Sequence, residues 1–189
     1  VVVMHSLSAP VDPDERYPYD DVVDEVFDAL RERLLLAERA GIDRGNVIVD
    51  PGLGFGKRPV ESFELLDRIG EFRALGTSVL VGHSHKSMFD AVGPGTDPEA
   101  VDGTGRNDSD RLAATVAATA LAAERGVDLV RVHDVAENVA AVGTAAATAA
   151  SVASDADRDA NGANAAQNSD GASPNRDADG ASPNRDADG

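Results

Sequence analysis

Short β-branched runs alternate with amphipathic stretches through the first 150 residues, and every run ends on polar side chains. Val1-Val2-Val3-Met4 leads to His5, and Val47-Ile48-Val49 leads to Asp50. Val79-Leu80-Val81 leads to Gly82, His83 and Ser84; Val127-Asp128-Leu129-Val130 leads to Arg131, His133 and Asp134. Runs this short and this apolar suit parallel strands, which are buried on both faces. Between the runs, Val22, Val26, Leu30, Leu34 and Ala37 fall at helical spacing and stop at Gly41, predicting a helix over 20–40. Further helices are predicted over 60–75, 111–125 and 136–147. Strand–helix repetition means right-handed crossovers, hence an α/β fold that is either a doubly wound sheet or a (β/α)8 barrel. In both, the carboxyl ends of the strands form the ligand face. Four strands make half a barrel, so the barrel reading expects four further units ahead of Val1.

Composition narrows the chemistry. The 189 residues contain no cysteine, which excludes disulfide scaffolds, thiolate nucleophiles and cysteine-bound metal clusters. No apolar run reaches the ~20 residues of a membrane span, and neither an initiator Met nor a basic segment opens the chain as a signal peptide would. A net charge of −17 and a pI near 4.4 argue against nucleic acid or an anionic membrane as partner. A cytoplasmic protein is expected. Only two lysines stand among 17 basic residues, against 34 acidic ones, a composition similar to that of proteins from extreme halophiles. Near Val152 the large aliphatic residues end, and GASPNRDAD occurs at 171–179 and again at 180–188. Such a segment buries too little to offset its ordering entropy. We therefore expect two regions, a folded domain over 1–150 and a disordered acidic tail over 151–189.

Three motifs carry polar chemistry at strand ends. Asp50-Pro51-Gly52-Leu53-Gly54-Phe55-Gly56-Lys57 fits neither a phosphate-binding Walker loop nor a dinucleotide fingerprint. It offers a carboxylate able to accept two N–H bonds from an amino-pyrimidine edge. Alternatively it is a tight turn in which Asp50 caps backbone N–H groups. In Gly82-His83-Ser84-His85-Lys86-Ser87, the Lys86 cation and the hydroxyls of Ser84 and Ser87 suit a carbonyl or phosphate oxygen, or form an exposed loop. In Arg131-Val132-His133-Asp134, strand alternation would point Arg131 and His133 to one side, where a guanidinium suits a diphosphate. An exposed strand end with a helix cap at Asp134 is the alternative. His83 and His85 form an HxH pair, but no spacing supplies a third ligand, so no protein-held metal is expected.

Met4-His5, the Asp50–Lys57 motif, Ser84-His85-Lys86-Ser87 and Arg131-Val132-His133-Asp134-Val135 together resemble, in order and spacing, the second half of dihydropteroate synthase. The resemblance implies a (β/α)8 TIM barrel of which this chain supplies the last four strand–helix units. It implies a transferase that joins 6-hydroxymethyl-7,8-dihydropterin diphosphate to 4-aminobenzoate, giving 7,8-dihydropteroate and pyrophosphate in folate biosynthesis. Asp50 would then hold the pterin's amino-pyrimidine edge and Lys86 its carbonyl, with Met4 and Gly54 lining the slot. Phe55 and Ser87 would meet the 4-aminobenzoate, while Arg131 and His133, with Ser84, would hold the diphosphate. Lys86, Arg131 and His133 would be the catalytic side chains. Mg2+ is implied as cofactor with its ligand outside this chain, and so is a homodimer. Half a barrel would be inactive alone. His85 stands where the family usually has Arg. The alternatives are a pterin-binding methyltransferase domain, or a non-catalytic half barrel that binds pterin or a partner.

Overall fold

The computed structural model describes residues 1–8, 17–92 and 108–169, with the side chains of 108–110 and 153–169 left aside. The chain divides into two units, Val1–Ala149 and Ala150–Gly189. In the first, four strands, β1 (Val2–Met4), β2 (Ile48–Asp50), β3 (Ser78–Val81) and β4 (Leu129–Val130), form one parallel sheet in the order β1-β2-β3-β4. Its register pairs Val2 with Ile48, Met4 with Asp50, Val49 with Val79, and Val81 with Val130.

Each strand lies beside its predecessor, without the order reversal of a doubly wound sheet. Helix α1 (Val22–Arg39), helix α2 (Pro59–Asp67) and helix α3 (Asp108–Glu124) follow the first three strands. Their buried faces join one core: Val26, Leu30, Leu34, Leu65 and Ala122, with Phe72 and Phe89 from the intervening 3₁₀ turns, pack with Val49, Val79 and Val81. Neighbouring side chains alternate to the other face, where Val2 is 53% and Leu129 40% exposed. One helical layer on one face of a progressively ordered parallel sheet is an arc of a (β/α)8 barrel. The doubly wound alternative is set aside by that order.

Local chemistry sets the element ends. Asp21 caps α1 by accepting from the backbone N–H groups of Val23 and Asp24, both at 2.9 Å. Pro59 opens α2, and the Arg58 N–H donates to Glu61 Oε2 at 2.6 Å. The single helix expected over 60–75 divides: α2 ends at Asp67, and a 3₁₀ turn spans Ile69–Leu75. Ile69, Phe72 and Leu75 are all buried at a spacing of three, the period at which 3₁₀ side chains eclipse.

The last helix, α4 (Val135–Ser169), runs past the end expected at residue 147. Alanine, the strongest helix former, fills much of 136–166 and carries the helix through the composition break. Its first 18 residues, 135–152, have a mean hydropathy of 1.2, so by length and composition this stretch could cross a membrane, against the sequence expectation. That hydropathy comes from Ala and Val alone, without Leu, Ile or Phe. The nine-residue repeat lies outside the described residues.

Candidate active site

Four strand ends converge their polar residues on one edge of the sheet. Asp50 closes β2, is 3% exposed, and its Oδ1 accepts from the Gly52 N–H at 2.8 Å. Oδ2 has no hydrogen-bond partner among the described residues. The carboxylate thus caps its turn with one oxygen, as the tight-turn reading expects. Burial raises its pKa, while the Gly52 N–H, Lys86, Arg131 and Lys57 oppose the rise. Register places Met4, half-buried, beside it.

The loop after Asp50 folds tightly because its glycines permit it. Gly52 has φ +71°, and a Cβ there would lie 2.1 Å from the His5 carbonyl oxygen, so no other residue fits. Lys57 is buried beneath the loop, donating to the Gly52 carbonyl at 2.9 Å and approaching the Phe55 carbonyl at 3.4 Å. Its Nζ lies 3.0 Å from His5 Nδ1. Burial, reinforced by Lys86, pushes Lys57 down to about 7. Burial, then Lys57 and Arg33, push His5 down to about 3, so its neutral ring can accept from Lys57. Sequence reasoning did not assign Lys57 a role. The signal was its rarity, one of two lysines, at the end of a glycine-rich loop.

Lys86 reaches this loop from β3. Its ammonium donates to the Leu53 carbonyl and lies 4.2 Å from the Phe55 ring centroid, a cation–π contact. Gly54 is exposed beside it, with the Lys86 Cδ 3.4 Å from the place a Cβ would take. Burial pushes Lys86 down to about 8, with Asp50 opposing and Arg131 adding. Ser87 is exposed and opens a 3₁₀ turn, Ser87–Ala91.

Arg131 and His133 are both exposed at the end of β4. Strand geometry ends at Val130, although the Arg131 N–H still donates to the Val81 carbonyl at 2.9 Å. The Arg131 guanidinium lies over Gly82, where a Cβ would come within 2.9 Å of Nη2. Ser84 Oγ sits 2.9 Å from His133 Nδ1 and 3.2 Å from its backbone N. His83 and His85 lie beyond β3 and do not act as an HxH pair: His83 turns into α3 while His85 meets Asp134 at 2.6 Å. Among the described residues no three histidines or carboxylates converge as metal ligands. The geometry therefore gathers Met4, Asp50, Gly54, Phe55 and Lys86 into one group. It sets Arg131, Ser84 and His133 into a second, with Ser87 on the rim.

A buried carboxylate, a lysine of lowered basicity and a nearby guanidinium stand together at the carboxyl edge of the sheet, the edge that forms the ligand face of a barrel. Residues 1–133 match the family model described as pterin binding enzyme, and the chain belongs to that family. Within it, the chain is similar to dihydropteroate synthases. It is 60% identical over 148 residues to a probable bifunctional folylpolyglutamate synthase/dihydropteroate synthase of Haloferax volcanii, covering 78% of this chain and 16% of that protein. It is 36% identical over 151 residues to the dihydropteroate synthase of Escherichia coli, covering 78% and 49%. The dihydropteroate synthase of Xanthomonas albilineans, solved with 4-aminobenzoic acid, superposes with a TM-score of 0.66 at 39% identity over 79% of this chain and 51% of that one. The chain spans about half the length of the E. coli and X. albilineans synthases and 16% of the bifunctional H. volcanii protein, and it supplies four strand–helix units of the TIM barrel. The acidic, lysine-poor composition accords with the haloarchaeal relative.

Proposed function

We propose that the full-length protein carrying this chain is a dihydropteroate synthase. The observation that carries the reading is the Asp50–Lys86 pair on adjoining strand ends, with the Arg131 guanidinium beside it. Asp50 accepts two N–H bonds from the pterin's amino-pyrimidine edge, and Lys86 donates to the ring carbonyl and adjoining nitrogen. Met4 and Gly54 line the slot; Phe55 and Ser87 meet the 4-aminobenzoate. Arg131 and His133, with Ser84, hold the diphosphate and stabilise the charge that grows as it leaves. The methylene C–O bond breaks as pyrophosphate departs. The aromatic amine nitrogen then bonds to the methylene carbon and loses a proton to solvent. Most of the acceleration comes from positioning and anion stabilisation. Mg2+, when bound, would neutralise diphosphate charge; no group of three histidines or carboxylates that could hold it stands among the described residues, and the reading takes its ligand from outside this chain.

The reading includes a cytoplasmic, homodimeric enzyme. It also takes residues 1–150 as the C-terminal half of the barrel, inactive without the other half, and 151–189 as a solubilising tail. X. albilineans dihydropteroate synthase has also been solved with 7,8-dihydropteroate, which supports the same product here. The test is pyrophosphate release by the full-length protein, given the pterin diphosphate and 4-aminobenzoate in molar KCl. Lys86→Ala should reduce kcat/KM by about 10³ or more with the circular dichroism unchanged. Full activity in that variant overturns the assignment of Lys86. Methyl transfer without pyrophosphate release would move the protein to the methyltransferase reading.

A further inference from the structure

Behind the two strand-end loops runs a line of polar side chains, buried at His83, Thr119 and Asn138 and half-buried at Asp134 and His85, that the proposed chemistry does not use. His83 is fully buried, with Nε2 2.8 Å from Thr119 Oγ1 and 3.2 Å from the Thr115 carbonyl on α3. Thr119 Oγ1 donates to Asn138 Oδ1 on α4 at 2.5 Å, and Asn138 Nδ2 donates to the Asp134 carbonyl at 2.7 Å. Asp134 Oδ2 lies 2.6 Å from His85 Nε2. The His85 backbone N–H donates to Thr115 Oγ1 at 3.0 Å, returning the line to α3.

Donor counting fixes its direction. Thr119 spends its one hydroxyl proton on Asn138, so it accepts from His83 Nε2–H. Burial pushes His83 down to about 4, in keeping with a neutral ring. His85 meanwhile holds a left-handed backbone, φ +55°, which costs a residue with a Cβ. Thr115, Thr119 and Asn138 are at most 1% exposed in the alanine-rich helices α3 and α4, where apolar residues would pack without needing partners. Of its polar atoms only His83 Nδ1 is buried without a partner, and a hydrogen-bonded line of this kind specifies one relative placement of the segments it joins.

We propose that the line from His83 through Thr119 and Asn138 to Asp134 and His85 is a positioning device. It locks the loop bearing Ser84 and Lys86 to the loop bearing Arg131 and His133. The pterin-binding cation and the diphosphate groups are thereby presented at a fixed separation. What the loops bind rests on the synthase reading; the mechanical coupling between them does not.

The test uses the full-length protein in molar KCl, with Thr119→Val as the near-isosteric break and Thr119→Ser as the conservative rescue. In Thr119→Val, amide hydrogen exchange should quicken about tenfold in both 83–87 and 131–135 while the α1 and α2 amides are unchanged. KM for the pterin diphosphate should rise about tenfold, with kcat falling less than threefold. Thr119→Ser should restore both. Exchange that is unaltered in either loop, or quickened evenly over the fold, overturns the proposal. Should Thr119→Val fail to fold, His85→Ala serves: quickened exchange at 131–135 supports the coupling, and unchanged exchange overturns it. A protein that releases no pyrophosphate sinks the synthase reading, and the exchange result still decides the coupling.

Discussion

Lys86 has traded water for the Leu53 carbonyl and the Phe55 ring, and its basicity records that exchange. Burial brings it to about 8 in the folded state, against about 10.5 for an exposed lysine. Between those values the unfolded chain binds more protons than the folded one, so Lys86 makes stability rise with pH from about 8 to about 10.5. Its charge, however, is lost from about 8 upward. We expect kcat/KM for the pterin diphosphate to fall above pH ~8 while the folded fraction holds, and Lys86→Arg to move any residual activity's alkaline limb beyond pH 10. A flat profile to pH 10 would remove the Lys86 cation from the reaction. Lys57, at about 7, deprotonates earlier, but a neutral amine still donates to the Gly52 carbonyl beneath the loop. The two lysines were both visible as rare residues in an acidic chain. Which one lies buried beneath the loop was set by the turn at Gly52, a property no spacing rule carries.

At the level of elements, the β3–β4 register does what neither strand does alone. Val81 pairs with Val130, so Gly82 falls beside Arg131, and without a Cβ it lets the guanidinium lie over its backbone. Gly82 has no left-handed φ, so alanine suits the backbone there; the conflict is with Nη2 and Nε of Arg131, at 2.9 and 3.1 Å. An exposed arginine can swing away cheaply, so Gly82→Ala should leave the thermal midpoint within about 2 °C of wild type. The displaced guanidinium should raise KM for the pterin diphosphate about tenfold, and unchanged kinetics would place the diphosphate elsewhere. Strands, crossovers and the polar strand ends were legible in the sequence because each follows from a periodicity and its punctuation. Three features were not. Ile69, Phe72 and Leu75 fit either a helix or a 3₁₀ turn until packing chooses. Arg131 and His133 were expected to share a strand face, but β4 stops at Val130, and partners across the sheet edge orient them instead. His83 and His85 were read as an HxH pair, whereas Thr119 draws His83 into α3 and Asp134 takes His85.

For the whole molecule the deciding quantity is charge. The 34 acidic residues outnumber the 17 basic ones, and the segment after Val152 holds only a minor part of the excess. The folded part therefore works against its own repulsion. Salt acts on two populations of interaction. Pairs in contact, such as Arg68 with Glu71 at 2.8 Å or Arg111 with Asp90 at 2.6 Å, lie inside the ~3 Å screening length of 1 M salt and keep most of their attraction. Repulsions between carboxylates spread over the surface act across longer gaps. They survive at 0.1 M, where screening extends ~10 Å, and vanish near 1 M. Because the unpaired charges are mostly of one sign, the balance favours the folded state as salt rises. The full-length protein should gain about 10 °C or more in thermal midpoint between 0.1 and 2 M KCl. Deleting 152–189 should leave most of that gain, because most of the excess charge lies before the deletion, and pyrophosphate release should persist. A midpoint indifferent to KCl would show that close ion pairs already offset the repulsion. A gain lost with the tail would show that the tail, rather than the barrel surface, answers to salt.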